Sequence, residues 1–132
     1  METKIQPLKT KHSEIWLDEE GILRVDIQEN AELEAEEVKN CFDAYTQMGI
    51  NKNNKVLQLM TTGENVTIDK EGRDYAAING KDFFIASAIV STSLATRLIV
   101  NFFNIFYKSQ IVPFKMFDNE ESAKRWLYKF KH

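Results

Sequence analysis

Cysteine occurs once in this chain, at Cys41, which excludes an internal disulfide and a thiolate-clustered zinc site. Histidine is nearly as scarce: His12 and His132 stand in the terminal segments, where neither is a candidate general base. Two prolines and five glycines leave no stretch with the composition of a flexible linker. There is no run of about 20 apolar residues and no apolar leader after Met1, so the expectation is a cytoplasmic chain without a membrane span. A basic stripe is also missing. The 20 acidic and 17 basic residues are interspersed, with a net charge of −3, so nucleic acid is not an expected partner.

What is present is ordinary for a globular domain, with 43% hydrophobic and 28% charged residues. A chain of 132 residues buries one core without staples. Residues 1–12 carry Lys4, Lys9, Lys11 and His12 around Pro7 without periodicity and read as a disordered arm, leaving 13–132 as a single domain. Ser13 to Asp18 alternates, with Ile15 and Leu17 on one face. Ile22 to Gln28 alternates again, with Leu23, Val25 and Ile27 facing in, and the turn ending at Gly21 makes the two an antiparallel hairpin.

The period then becomes helical from about Ala31 to Met48, with Glu32, Glu34, Glu36 and Glu37 crowding the first turns, where the helix dipole favours them. Lys55 to Thr61 reads as a strand, and about Asp69 to Asn79 as a short helix. Phe84 to Ser91 reads as a strand covered on both faces. Ser93 is a candidate N-cap for a helix running to Lys108. Val112 to Phe117 is the last strand, placed at an edge by Pro113. Asp118 and Glu121 have capping-box spacing and open a final helix with Ala123, Trp126, Leu127 and Phe130 inward. The order β-β-α-β-α-β-α-β-α predicts an α/β fold, a mostly parallel five-stranded sheet with an antiparallel N-terminal hairpin and four helices.

The penultimate helix is unusually apolar. On a helical wheel Arg97, Asn101, Asn104 and Lys108 form one narrow polar stripe. The apolar arc covers roughly 240°, more than twice the width a helix needs to lie on a sheet. Phe102 falls near the centre of that arc, which leaves Val100, Phe103 and Tyr107 as a surplus flank for a partner or ligand, or for burial within the same chain.

Three passages resemble one family. Ile15-Trp16-Leu17-Asp18-Glu19-Glu20-Gly21-Ile22-Leu23-Arg24-Val25 is similar to the opening hairpin of a bacterial STAS-like group related to the anti-anti-sigma factors. Phe114-Lys115-Met116-Phe117, followed by Glu120-Glu121-Ser122-Ala123 and Trp126-Leu127, is similar to the finish of the same group. Between them, Val66-Thr67-Ile68-Asp69-Lys70-Glu71-Gly72-Arg73 stands where STAS domains carry Ile-Asp-Ser-Ser-Gly-Leu. The resemblance implies a STAS-like fold and a protein-binding face. It also implies a serine, phosphorylated by a partner kinase, directly after the aspartate. Here that place is Lys70, with Glu71 next, so no hydroxyl is available to take on the charge that drives such a switch. Thr67, Asp69 and Lys70 are the equivalents of the STAS loop, and Thr67 would serve only by moving the site upstream.

The remaining polar features have plain explanations. Thr61 to Asn65 follows a strand, but it has one glycine, no lysine-threonine pair, and Glu64 to repel an anion, so it reads as a surface loop. Asp69, Lys70, Glu71, Arg73 and Asp74 read as a solvated helix start with Asp69 as N-cap and Asp69–Arg73 and Lys70–Asp74 as i,i+4 pairs. Asp18, Glu19 and Glu20 diverge in a tight turn and read as a solvated hairpin tip rather than metal ligands. Cys41, Tyr45 and Tyr75 read as core. No catalytic, cofactor or metal residue is assigned, because no acid, base or nucleophile stands beside an orienting partner. The expected function is a non-catalytic regulatory module acting through the apolar helix face, as a homodimer or with a protein partner. The alternative is a carrier or sensor of a small apolar, lipid-like molecule in a pocket lined by Phe83, Phe102, Phe103 and Phe106.

Overall fold

A computed structural model describes residues 7–107 and 111–131. Lys108 and His132, both used in reading the sequence, lie outside the described residues, as do residues 1–6 of the N-terminal arm. The elements are β1 (Leu8–Lys9), β2 (Ser13–Leu17), β3 (Leu23–Ile27), β4 (Glu32–Leu33), α1 (Ala35–Gln47), β5 (Val56–Thr62), β6 (Thr67–Ile68), α2 (Lys70–Gly80), β7 (Phe84–Val90), α3 (Leu94–Phe106), β8 (Phe114–Phe117) and α4 (Glu120–Tyr128). The main sheet runs β1-β2-β3-β5-β7-β8, and β4 pairs with β6 in a separate two-stranded ladder. The β1–β2 and β2–β3 pairs are antiparallel, and every later pair in the main sheet is parallel. The expected α/β fold is the one observed, with β8 at an edge as Pro113 implies.

Four local expectations are corrected. The main sheet has six strands rather than five, because Leu8 and Lys9 pair with Ile15 and Glu14 where a disordered arm was expected. The first helix starts at Ala35, not near Ala31: the carbonyls of Ala31 and Leu33 accept from the backbone N–H groups of Thr67 and Asp69, which draws this stretch into β4. The last helix is capped by Asn119, whose Oδ1 accepts from Ser122 N at 2.8 Å, in place of the Asp118 box. Ser93 does precede α3, but its hydroxyl makes no cap; its own N–H donates to Ser91 Oγ.

Side-chain alternation along the strands sorts the core into two layers. On β5, Leu57 and Leu59 face α4, joined by Ala86 and Ala88 of β7 and by Ala123 and Leu127 of α4 itself. Alanines on both sides let α4 sit close to the sheet. The opposite face carries Ile15, Val25 and Ile27 beneath α1, with Val38, Cys41, Phe42 and Tyr45 coming down from that helix. Rings of Phe42, Tyr45, Tyr75, Phe83 and Phe84 meet there with centroids 5.0–6.2 Å apart. No helix among the described residues is long and apolar enough to cross a membrane.

Two polar clamps bind the periphery. Arg24 holds Asp18 at 2.9 Å and Glu120 at 3.1 Å, while Glu20 accepts from Tyr128 Oη and pairs with Lys124 at 3.2 Å. The hairpin tip is thus tied to α4 rather than merely solvated. Gly63 is required by close approach: a Cβ there would lie 2.5 Å from Glu29 Cβ and 2.6 Å from Glu29 Cα.

Gly63→Ala is therefore expected to cost about 1–3 kcal/mol through the backbone shift it forces. Gly80→Ala, whose Cβ would meet only Phe84 ring atoms at 3.7 and 3.9 Å, should be neutral or stabilising by up to about 1 kcal/mol. Urea midpoints of the two variants measured side by side check the contrast.

Candidate functional site

A cavity of about 170 Å³ lies between the sheet and helices α1, α2 and α3. Its wall is mostly apolar, with Val25 and Ile27 from β3, Met60 from β5, Ile89 from β7, and Ile99 and Phe103 from α3. Polar side chains interrupt this wall. Helix α1 contributes Glu37, Cys41 and Tyr45, spaced i, i+4, i+8 so that all three share a face. The sheet answers with Ser13, Gln58 and Ser87.

Most of these groups satisfy one another. Ser87 Oγ donates to Gln58 Oε1 at 2.7 Å, and Gln58 Nε2 donates to Tyr45 Oη at 3.4 Å. Burial raises the Tyr45 phenol well above its ordinary range, with the charge of the Cys41 thiolate as a further cause. Burial, followed by the charge of Glu37, pushes the Cys41 thiol up to about 11. Farther along, the hydroxyls of Thr62 and Thr96 meet at 3.3 Å, tying the end of β5 to the first turn of α3. Glu37 Oε2 accepts from Thr10 Oγ1 at 2.6 Å and from His12 N at 2.9 Å. Glu37 Oε1 is buried and has no hydrogen-bond partner among the described residues.

Of the alternatives left open for the flank, most of it is covered within the same chain. Val100 and Phe103 are buried, with 5% and 7% exposure, and Tyr107 is half-buried at the end of α3. The surplus of apolar surface exists, but on the other side of the helix: Leu94, Leu98, Ile105 and Phe106 are 61–69% exposed. Three contacts fix this rotation. Thr96 meets Thr62, Phe103 packs edge-on against Phe114 with centroids 5.7 Å apart, and Asn104 Nδ2 reaches the Phe114 carbonyl at 3.2 Å. The polar stripe therefore includes a residue that clips the helix to edge strand β8, and the arc beside it turns inward. Of the four phenylalanines proposed for a pocket, Phe103 lines the cavity, while Phe83, Phe102 and Phe106 do not.

The STAS-loop equivalents lie at the cavity's margin. Thr67 points out from β6 while its neighbours Val66 and Ile68 line the cavity. Asp69 caps α2 as expected, its Oδ1 accepting from Gly72 N at 2.7 Å, and exposed Lys70 pairs with Asp74 at 2.9 Å. The structure brings this cluster to α3 through two residues read as merely solvated. The Arg73 guanidinium sits 4.5 Å over the Phe102 ring and donates to the Ile68 carbonyl, and Tyr107 Oη donates to Asp74 Oδ1. That hydrogen bond, then Lys70, holds the Asp74 carboxyl below its usual range. Burial, then Asp74, raises the Tyr107 phenol. The i,i+4 partner expected for Arg73, Asp69, is thus replaced by a ring and a carbonyl.

Sequence reasoning missed Glu37, Gln58 and Ser87 as a group. The available signal was parity: Gln58 interrupts the apolar run Val56 to Met60, and Ser87 stands between two alanines, both at inward positions. Among the described residues no three His, Cys, Asp or Glu side chains are grouped to hold a metal ion.

Among solved structures the chain is similar to an uncharacterised protein of the DUF3478 family with a SpoIIAA-like fold from Shewanella loihica PV-4. The TM-score is 0.60 at 15% identity, covering 96% of this chain and 98% of that one. The likeness is one of fold, and it agrees with the STAS-like architecture implied by the hairpin and the closing motif. No curated protein matches the sequence. Residues 15–131, nearly the whole domain from β2 to the end of α4, match the family described as a domain of unknown function, DUF7793, and the chain belongs to that family.

Proposed function

We propose that this chain is a non-catalytic regulatory module of STAS-like fold that works through protein contact, with the outer arc of α3 as its contact surface and a second copy of the chain as its first partner. The observation that carries this reading is the exposure of Leu94, Leu98, Ile105 and Phe106 on one side of a single helix. Contiguous apolar surface of this kind rarely stays in water without a use. Each such side chain contributes about 1.5–3 kcal/mol when fully buried in an interface. The bacterial, cytoplasmic setting expected from the sequence belongs to the same reading. With Lys70 and Glu71 after Asp69, the module works without the serine switch of its fold relatives.

A second reading, a carrier or sensor of a small apolar molecule, is favoured by the cavity beneath α3. Apolar pockets with a few convergent polar groups are the usual form of a small-molecule site. Native mass spectrometry of freshly purified protein is expected to show an apolar adduct; a bare chain that also takes up no added apolar compound overturns this reading.

In sedimentation velocity across micromolar concentrations, the wild-type chain is expected to associate. Leu98→Asp or Phe106→Asp should shift it to monomer with little change in melting temperature. Phe103→Asp should instead unfold the domain, since an unpaired buried carboxylate costs several kcal/mol against a total stability of about 5–15. A wild-type monomer over the whole range would sink the self-association reading.

The non-catalytic reading makes its own prediction at Cys41. With its thiol pushed up to about 11 by burial and by Glu37, the native protein should resist a disulfide reagent such as DTNB at pH 7.5 and react fully once denatured. Rapid labelling of the native protein would reveal an activated thiol and count against it.

A further inference from the structure

The outer side of α3 is apolar, and it is also regularly spaced. Leu94, Leu98, Asn101 and Ile105 stand four, three and four residues apart. At 100° per residue they fall within roughly 60° of one another. All four are exposed, while Thr96, Val100 and Phe103 are buried on the opposite side. Alternating steps of three and four make a coiled-coil seam, and one asparagine in an apolar seam fixes how two helices align. Phe106, stacked on Phe102 with centroids 4.3 Å apart, widens the seam on one flank.

Charge selects the occupant and its direction. The first turns of α1, α2 and α4 hold Glu36 and Glu37, Glu71, and Glu120 and Glu121. Helix α3 has no acidic residue in its first turn, no basic residue in its last and no side-chain cap at Ser93. Both ends of its dipole therefore lack an opposite charge from the helix itself. Arg97, near the N-terminus, is exposed; it shares a groove with Asp118 but takes part in none of the ion pairs among the described residues. An antiparallel second α3 lays its negative C-terminal end along this positive end, and the same happens at the other end. A parallel copy would set two positive N-termini and two Arg97 side chains together.

Resting on the reading of the outer arc as a self-association surface, we propose that the seam pairs with α3 of a second copy, antiparallel, about a two-fold axis passing between Leu98 and Asn101. In that register Leu94 of each copy meets Ile105 of the other, and Leu98 meets Asn101. Every seam residue then has a counterpart, and each Arg97 lies along the last turn of the other helix. The contact uses the same surface on both copies, so it closes as a dimer. The two Asn101 amides sit beside the axis, and each carries donors and an acceptor for the other. Sliding one helix by a turn strands them against apolar side chains, which is how Asn101 sets the register.

The test places single cysteines in the full chain and oxidises it mildly, with Cys41 buried away from the reaction. A mixture of Leu94→Cys and Ile105→Cys proteins is expected to give a disulfide-linked heterodimer, while neither variant links to itself. Both sites are exposed, so the fold is kept. Arg97→Glu should weaken the association seen in sedimentation by about threefold or more, by setting a negative charge beside the other helix's C-terminal end. Self-linking of Leu94→Cys, or tighter association of Arg97→Glu, means a parallel pair and overturns the proposal. Association that Leu98→Asp still breaks, but without the mixed cross-link, overturns the register and leaves the outer arc as the contact. A wild-type chain that stays monomeric at every concentration removes the self-association reading and this proposal together.

Discussion

A buried polar chain ties the sheet's inner face to α1, and the packing on that side of the molecule depends on it. Gln58, on the central strand β5, accepts from Ser87 on β7 and donates to Tyr45 on α1. An amide in the middle of a sheet face cannot be left unpaired without a penalty of a few kcal/mol. Tyr45 must therefore stand over Gln58, which sets the height of α1. The opposite face has no such spacer. Alanines at 86, 88 and 123 let α4 lie flush. The two sides of one sheet thus differ because alternate residues of β5 and β7 differ: Leu57, Leu59, Ala86 and Ala88 against Gln58, Met60, Ser87 and Ile89.

Most of the fold was legible in the sequence for a physical reason: its elements are long enough for period to identify them. The five strands read from alternation or apolar runs are β2, β3, β5, β7 and β8, and all four helices were placed within a few residues. The elements not foreseen are β1, β4 and β6, each two residues long. A two-residue strand has no period. It exists because a neighbour offers partners, as Ala31 and Leu33 do for Thr67 and Asp69.

The candidate site was less legible, and α3 shows why. A wheel gives the width of the apolar arc but not which part of it faces in, because rotation is settled by contacts from elsewhere in the chain. Asn104 was counted with the solvent stripe, yet its amide is spent on the Phe114 carbonyl of β8. Thr96 carried no weight as a polar residue on an apolar helix, yet it marks the inward centre by meeting Thr62. Helix α2 gave the same lesson: Arg73 and Asp74 grip Phe102 and Tyr107 across a helix–helix contact that their own segment does not announce.

The margins of the main sheet are short. Strand β1 offers two residues, with exposed Lys9 among them, and β8 offers four, led by Pro113 and carrying exposed Lys115. Lysine and proline on brief outer strands are how sheets discourage foreign strands from zippering on. Among the described residues, lateral growth into a continuous ribbon is accordingly disfavoured at both margins.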